Sequence, residues 1–285
     1  MTTVPEHLWV KTAAGIDMPP IIYGTAWKKE RTADLVETAV LAGFRGIDTA
    51  GQPKHYEEPL VGQALQRLGE RGIDRGGIFL QTKFTPLPGQ DPENIPYDAE
   101  ASPADQLQES FQNSLKNLKS TYVDSYILHS PLHPHDSLME VWRAMEALYK
   151  EGVVRQLGIS NCYAKEILNA LCEDAEVAPA VVQNRFHAQT AYDAELRSWC
   201  SQNNIHYQSF WTLTANPHIL ASAAVRSIAR DQGMTEAQVF FRYLTQAGIT
   251  PLTGTTSTRH MQEDLDIFNF ELNAEQMGIL ESILS

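Results

Sequence analysis

Three short apolar runs in the first half of this 285-residue chain each end on a residue suited to proton or charge chemistry. Gly46-Ile47 ends on Asp48, Ile78-Phe-Leu-Gln-Thr82 on Lys83, and Val123-Asp-Ser-Tyr-Ile-Leu128 on His129. After Asp48 a loop of glycine, proline and polar residues, Gly51-Gln-Pro-Lys-His55, delivers Tyr56. A tyrosine alone, with a reference pKa of about 10, gives up its proton reluctantly near neutrality. An ammonium beside the phenol favours the phenolate and lowers that value, and a carboxylate keeps the ammonium charged and oriented. A histidine within hydrogen-bond reach positions a carbonyl oxygen or relays a proton. Asp48, Tyr56, Lys83 and His129 are therefore the parts of a tuned acid. Such an acid protonates an oxygen as it becomes an alkoxide, the requirement when hydride is delivered to a carbonyl carbon. Tyr23 and Tyr97 are rival phenols, each better read as packing or loop surface.

These side chains need a scaffold that gathers strand ends. Residues 7–22 alternate around Gly15-Ile-Asp and Pro19-Pro20, which predicts a small hairpin ahead of the main fold. From Ile21 onward eight short strands are expected, ending near Tyr23, Asp48, Lys83, His129, Ser160, Phe186, Phe210 and Leu252. Helical patterns separate them, among them 103–118, with Ser102 as cap and Pro103 in the first turn. Another covers 137–150, with a stripe of Leu138, Val141, Trp142, Met145 and Leu148. Asp193 is the expected cap of a helix through Gln202, and a last helix covers 273–284. No linker of changed composition divides the chain. The reading is α/β: one domain over 1–285, a single (β/α)8 TIM barrel with an N-terminal β-hairpin and a C-terminal helix. The proline-rich stretch 86–102 is too long for a plain strand-to-helix loop and is expected over the active-site face.

Composition narrows the partners. The formal net charge of −13 disfavours nucleic acid, which needs a basic face, but leaves room for an anionic cofactor gripped locally. No apolar run approaches a membrane span, and the N-terminus lacks the order of a signal peptide. Cys162, Cys172 and Cys200 form no CxxC pattern and read as reduced thiols in a cytoplasmic protein. His133-Pro-His135-Asp136 lacks a third ligand at a recognisable spacing, so no metal is expected. There is no Gly-x-Gly-x-x-Gly fingerprint, P-loop or nucleophile elbow.

In this order along the chain, six motifs resemble those of the aldo-keto reductases: residues 43–50 (GFRGIDTA), 54–56 (KHY), 82–83 (TK), 124–131 (DSYILHSP), 158–161 (GISN) and 181–184 (VVQN). The resemblance implies reduction of an aldehyde or ketone with a nicotinamide cofactor, usually NADPH, with NADH possible. Carried over by position, Tyr56 is the general acid, Lys83 and Asp48 tune it, and His129 orients the carbonyl. Ser160, Asn161 and Gln183 would hold the carboxamide, and Phe210 would stack on the nicotinamide where a tyrosine is usual. Gly24, Thr25, Asp48, Thr212, Leu213, Gly254, Thr255, Thr256, Arg259, His260 and Asp264 complete the implied cofactor set. Trp27, Tyr56, His129, Trp211 and, more loosely, His133 are implied substrate walls.

Three departures accompany the resemblance. The Asp48–Tyr56 loop looks longer than usual, and Glu57-Glu58-Pro59 replaces the usual sequel to the tyrosine. Gly254 aligns with a lysine that commonly meets the ribose phosphate, which leaves less charge there. The chain stops soon after its last helix, so the pocket is expected to be open on that side, with 86–102 supplying part of its wall. A small-molecule carbonyl substrate and a monomer or weak oligomer are expected. The alternatives are a cofactor-binding sensor barrel and an isomerase using the same acid.

Overall fold

The computed structural model describes residues 4–284. A short antiparallel pair, β1 (Val10–Lys11) and β2 (Asp17–Met18), precedes eight parallel strands. These are β3 (Ile22–Gly24), β4 (Gly46–Asp48), β5 (Phe79–Phe84), β6 (Ser125–Leu128), β7 (Leu157–Ser160), β8 (Val181–Arg185), β9 (His206–Phe210) and β10 (Ile249–Thr253). Each pairs with the next, and β10 pairs with both β9 and β3, so the sheet closes. The expected barrel with its leading hairpin is what forms. Its strands are shorter than the apolar runs suggested: residues 153–156 enter only through the bridge of Val123 to Val154 before β7 begins.

The helices form the outer ring: α1 (Thr32–Ala42), α2 (Glu58–Glu70), α3 (Pro103–Leu118), α4 (His135–Lys150), α5 (Lys165–Asp174) and α6 (Ala194–Gln202). They continue with α7 (Pro217–Leu220), α8 (Ala223–Gln232), α9 (Glu236–Gln246), α10 (Thr258–Asp266) and α11 (Ala274–Ile283). The stripe of α4 is entirely buried, each large side chain contributing about 1.5–3 kcal/mol. Ser102 caps α3 as expected, its hydroxyl accepting from Asp105 N–H. Asp193 does not cap α6. It sits at φ 54°, and its carboxylate accepts from Asn184 Nδ2 and Tyr207 Oη, both at 2.8 Å. A buried donor pair outcompetes the helix end.

Two packing details position the site. Gly62 of α2 lies so close to α3 that a Cβ there would come within 2.0 Å of the Asn117 carbonyl oxygen. Glu58, in the first turn of α2, is buried and accepts from Thr82 Oγ1 (2.5 Å) and Ser114 Oγ (2.9 Å). Burial pushes its carboxyl upward against those hydrogen bonds. The unusual Glu57-Glu58-Pro59 sequence thus pins the start of α2, two residues after Tyr56, to β5 and α3.

The stretch 86–102 folds back on its own strand. Tyr97 Oη donates to the Thr85 carbonyl oxygen (2.8 Å), and Gln90 Nε2 donates to Gly51 O (2.9 Å) and Thr85 O (3.1 Å). Burial pushes the Tyr97 phenol up to about 12, and Tyr23 Oη is engaged with Thr255 O (2.9 Å), so both rival phenols are structural. Among the described residues no helix is long and apolar enough to cross a membrane, and no group of three or more His, Cys, Asp or Glu could hold a metal ion.

Candidate active site

Inside the barrel, β5, β8 and β9 each contribute a buried glutamine to one polar layer. Gln81 and Gln183 both donate through Nε2 to Asp48 Oδ1, at 2.8 and 3.1 Å, and both also donate to Gln208 Oε1. Lys83, 1% exposed, directs all three ammonium hydrogens at protein oxygens: Asp48 Oδ1 (2.7 Å), Asp48 Oδ2 (2.6 Å) and Thr49 O (2.9 Å). Burial pulls Lys83 below its ordinary range, and Asp48 opposes that pull.

Tyr56 lies above this pair, its ring centroid 5.3 Å from Lys83 Nζ and 6.2 Å from the His129 ring. The expectation that the ammonium lowers the phenol needs correcting. Burial, and then the Asp48 charge, push Tyr56 well above the ordinary tyrosine value. The carboxylate that orients Lys83 also acts on the phenol, and with burial it outweighs the ammonium. His129 Nδ1 is 2.6 Å from Thr85 Oγ1, and burial with the neighbouring Lys83 charge pulls the imidazole down to about 3. It is a neutral ring with its other nitrogen available.

Asp48, Tyr56 and His129 line a cavity of about 1170 Å³. Gly24, Trp27, Asn161, Gln183, Phe210, Trp211, Thr212, Leu213, Gly254, Thr255, Arg259, His260 and Asp264 line it too. Five expected residues do not. Lys83 sits behind Asp48; Thr25 spends its hydroxyl on the Asp48 carbonyl (3.0 Å); Ser160 donates its own to the Gln183 carbonyl (2.6 Å). Thr256 and His133 lie off the lining, and so does all of 86–102, which buttresses the Gly51–Gln52 turn from behind instead of walling the pocket. Asp264, also on the lining, accepts from Thr253 Oγ1 (2.7 Å), and burial raises its carboxyl to about 7.

Two tryptophans frame the mouth, both in the left-handed region, Trp27 at φ 63° and Trp211 at φ 56°. Such a backbone costs a bulky residue about 1–2 kcal/mol, and strain of this kind gathers at functional sites. Trp27 lies over His55, with centroids 3.9 Å apart, and Arg185 lies over Trp211.

Sequence reasoning missed Lys28. This half-buried residue donates its ammonium to the Gly254 carbonyl oxygen, and a Cβ on Gly254 would lie 3.3 Å from Lys28 Nζ. A cation from the loop after β3 therefore stands beside the position where the lysine side chain is absent. Burial and nearby Arg31 lower its pKa. The signal was Lys28 itself, next to Trp27, but its neighbour is 226 residues away.

A closed parallel barrel with a buried lysine–carboxylate pair under a deep cavity at its carboxyl-end mouth defines a barrel enzyme site. The chain matches the aldo/keto reductase family model over residues 20–285 and belongs to that family. It is 30% identical to glyoxal reductase of Bacillus subtilis over 277 residues, 96% of this chain and 92% of that one. An aldo/keto reductase structure from Brucella melitensis superposes with a TM-score of 0.82 at 29% identity, covering 99% of this chain and all of that one. A further aldo-keto reductase structure, complexed with NADPH, matches at a TM-score of 0.81 and 25% identity over 99% of this chain and 88% of that one.

Proposed function

We propose that this chain reduces an aldehyde or ketone to the alcohol with NADPH, the carbonyl oxygen taking its proton from Tyr56. The observation that carries the reading is one cavity lined by Asp48, Tyr56 and His129 and also by the cations Lys28, Arg259 and His260. The donor set suits a nicotinamide dinucleotide: Asn161 and Gln183 for the carboxamide, Phe210 for the ring face, Thr255 and the cations for phosphate. When bound, that cofactor supplies the hydride.

The protein's part is binding, orientation and one proton. His129, neutral throughout the working range, accepts at Nδ1 from the Thr85 hydroxyl, so its proton sits on Nε2, which donates to the carbonyl oxygen and fixes its place. Tyr56 gives up the proton as negative charge grows there. An alkoxide is a stronger base than a phenolate, so even a phenol held high remains acid enough. Asp48 and Lys83 form a rigid, nearly neutral floor that keeps Tyr56 protonated until then.

Tyr56 must be protonated and His129 neutral, and their shifts run upward and downward. The value of kcat/KM for the carbonyl should stay level from about pH 5, falling only above about pH 10, the ordinary tyrosine value. Stopped-flow or steady-state rates at saturating NADPH check this, since Asp264 near the cofactor has its carboxyl raised to about 7; a limb near pH 8 would contradict it.

NADPH is the favoured cofactor because Lys28 restores charge beside Gly254. Lys28→Met should weaken NADPH binding at least tenfold, read as quenching of tryptophan fluorescence, and NADH binding much less. Equal losses would assign Lys28 to phosphates that both cofactors share. The reading as a whole is tested by following NADPH and NADH oxidation with glyoxal, methylglyoxal and larger aldehydes and ketones. Bound cofactor without oxidation would turn the assignment towards a sensor; product formed without oxidation would turn it towards an isomerase.

A further inference from the structure

The inward row of β8 ends in a cation that the chemistry above does not use. Gln183 reaches across the barrel to Asp48 Oδ1 (3.1 Å), and residues two apart on a strand share a face, about 6.6 Å apart along it. Arg185 is therefore the next inward residue, one layer nearer the mouth, and it is paired in register with Phe210. It lines the same cavity as Tyr56 and His129.

The guanidinium of Arg185 is half-buried and unclaimed. Arg75 and Arg155 find Asp124, Arg143 finds Glu146, and Arg242 finds Glu271. Among the described residues Arg185 has no carboxylate within 4 Å, and its guanidinium makes no hydrogen bond to protein. The guanidinium lies over the Trp211 ring, whose centroid is 4.2 Å from its central carbon, while the Arg185 backbone N–H donates to Tyr163 Oη (3.2 Å). A guanidinium supported on an aromatic face has its plane fixed while its N–H edge stays open. Trp211 adopts a left-handed backbone at φ 56° at this point and is 45% exposed, so the support is held in the mouth and not in the core.

We propose that Arg185, seated on Trp211, binds a carboxylate on the substrate, so that the carbonyl compound reduced here is an oxo acid. This rests on the reductase reading of the site. A planar fork of N–H donors matches a carboxylate in bidentate fashion. Lys28, Arg259 and His260 are the cations for the cofactor's phosphates, while Arg185 is in register with Phe210, two residues beyond the Gln183 that reaches Asp48, in the cavity that Tyr56 and His129 also line. A protein of net charge −13 does not draw anions by its overall field, so an anionic substrate needs a dedicated local cation.

The test uses matched pairs: 4-carboxybenzaldehyde against its methyl ester, and succinic semialdehyde against its methyl ester, with NADPH. The parent should favour each acid over its ester at least tenfold in kcat/KM, mostly through KM. Arg185→Met should cut that acid-to-ester ratio at least tenfold, and Arg185→Lys should restore part of it. The Kd for NADPH should move less than twofold in both variants. A binding arm is independent of turnover: 4-(hydroxymethyl)benzoate should quench tryptophan fluorescence in NADPH-loaded parent but not in Arg185→Met. Equal rates for acid and ester in the parent would overturn the proposal. So would equal losses for acid and ester in Arg185→Met, or a rise in its NADPH Kd, which would give Arg185 to the cofactor. If no carbonyl supports NADPH oxidation, the reductase reading fails by itself, and the fluorescence arm still decides whether Arg185 holds a carboxylate.

Discussion

Tyr56→Phe should reduce turnover of any carbonyl by about 10²–10⁴-fold, the range expected for losing a positioned general acid, while leaving the Kd for NADPH nearly unchanged. The substitution removes one oxygen from a ring packed against His129, so the shape of the cavity and its cations survive. Steady-state rates and a fluorescence titration on the same preparation separate the two effects. Parental turnover in the phenylalanine variant would remove Tyr56 as the proton source. Because burial and Asp48 raise the phenol, the deprotonated form that alcohol oxidation would need is scarce. The variant's loss should therefore be measured in the reducing direction, where the parent rate is larger.

The second large effect concerns the floor. Lys83→Met leaves the Asp48 carboxylate inside the barrel with only the two glutamine amides as donors. Removing one partner of a buried ion pair costs about 3–5 kcal/mol, so the urea midpoint should fall markedly along with activity. Combining Asp48→Asn with Lys83→Met removes the stranded charge and should recover much of the stability but none of the turnover. If the single variant were as stable as the parent, the pair would not be the keystone of the barrel floor. If the double variant regained activity, the Asp48–Lys83 pair would not matter to the acid.

The legible parts of this site were those that strand ends announce. Asp48, Lys83 and His129 each interrupt an apolar run, and a charged residue leaving a buried strand has little reason to be there unless paired. The barrel followed from the alternation of strands and helices without a break. What escaped notice depended on distance through space. Lys28 looks like any loop lysine until β10 closes against β3 and brings Gly254 beside it. Gln81 and Gln208 read as ordinary polar strand residues, since nothing local says that a strand is enclosed on both faces. Arg185 falls inside the sixth expected strand, where nothing in the sequence tells which face it takes. The role of 86–102 was misjudged because Gln90 and Tyr97 tie it back to Thr85 and Gly51, contacts with no local signature.

The glutamine layer has a bearing on how this molecule comes into being. Asp48 takes its orientation from side chains on β5 and β8, which are themselves clasped by Gln208 of β9. A slip of any of these strands by one residue would turn its glutamine outward and release the carboxylate. The orientation of Asp48 therefore depends on strands from opposite sides of the barrel being in register together. For this chain, closing the cylinder and aiming its central carboxylate are one event in geometry.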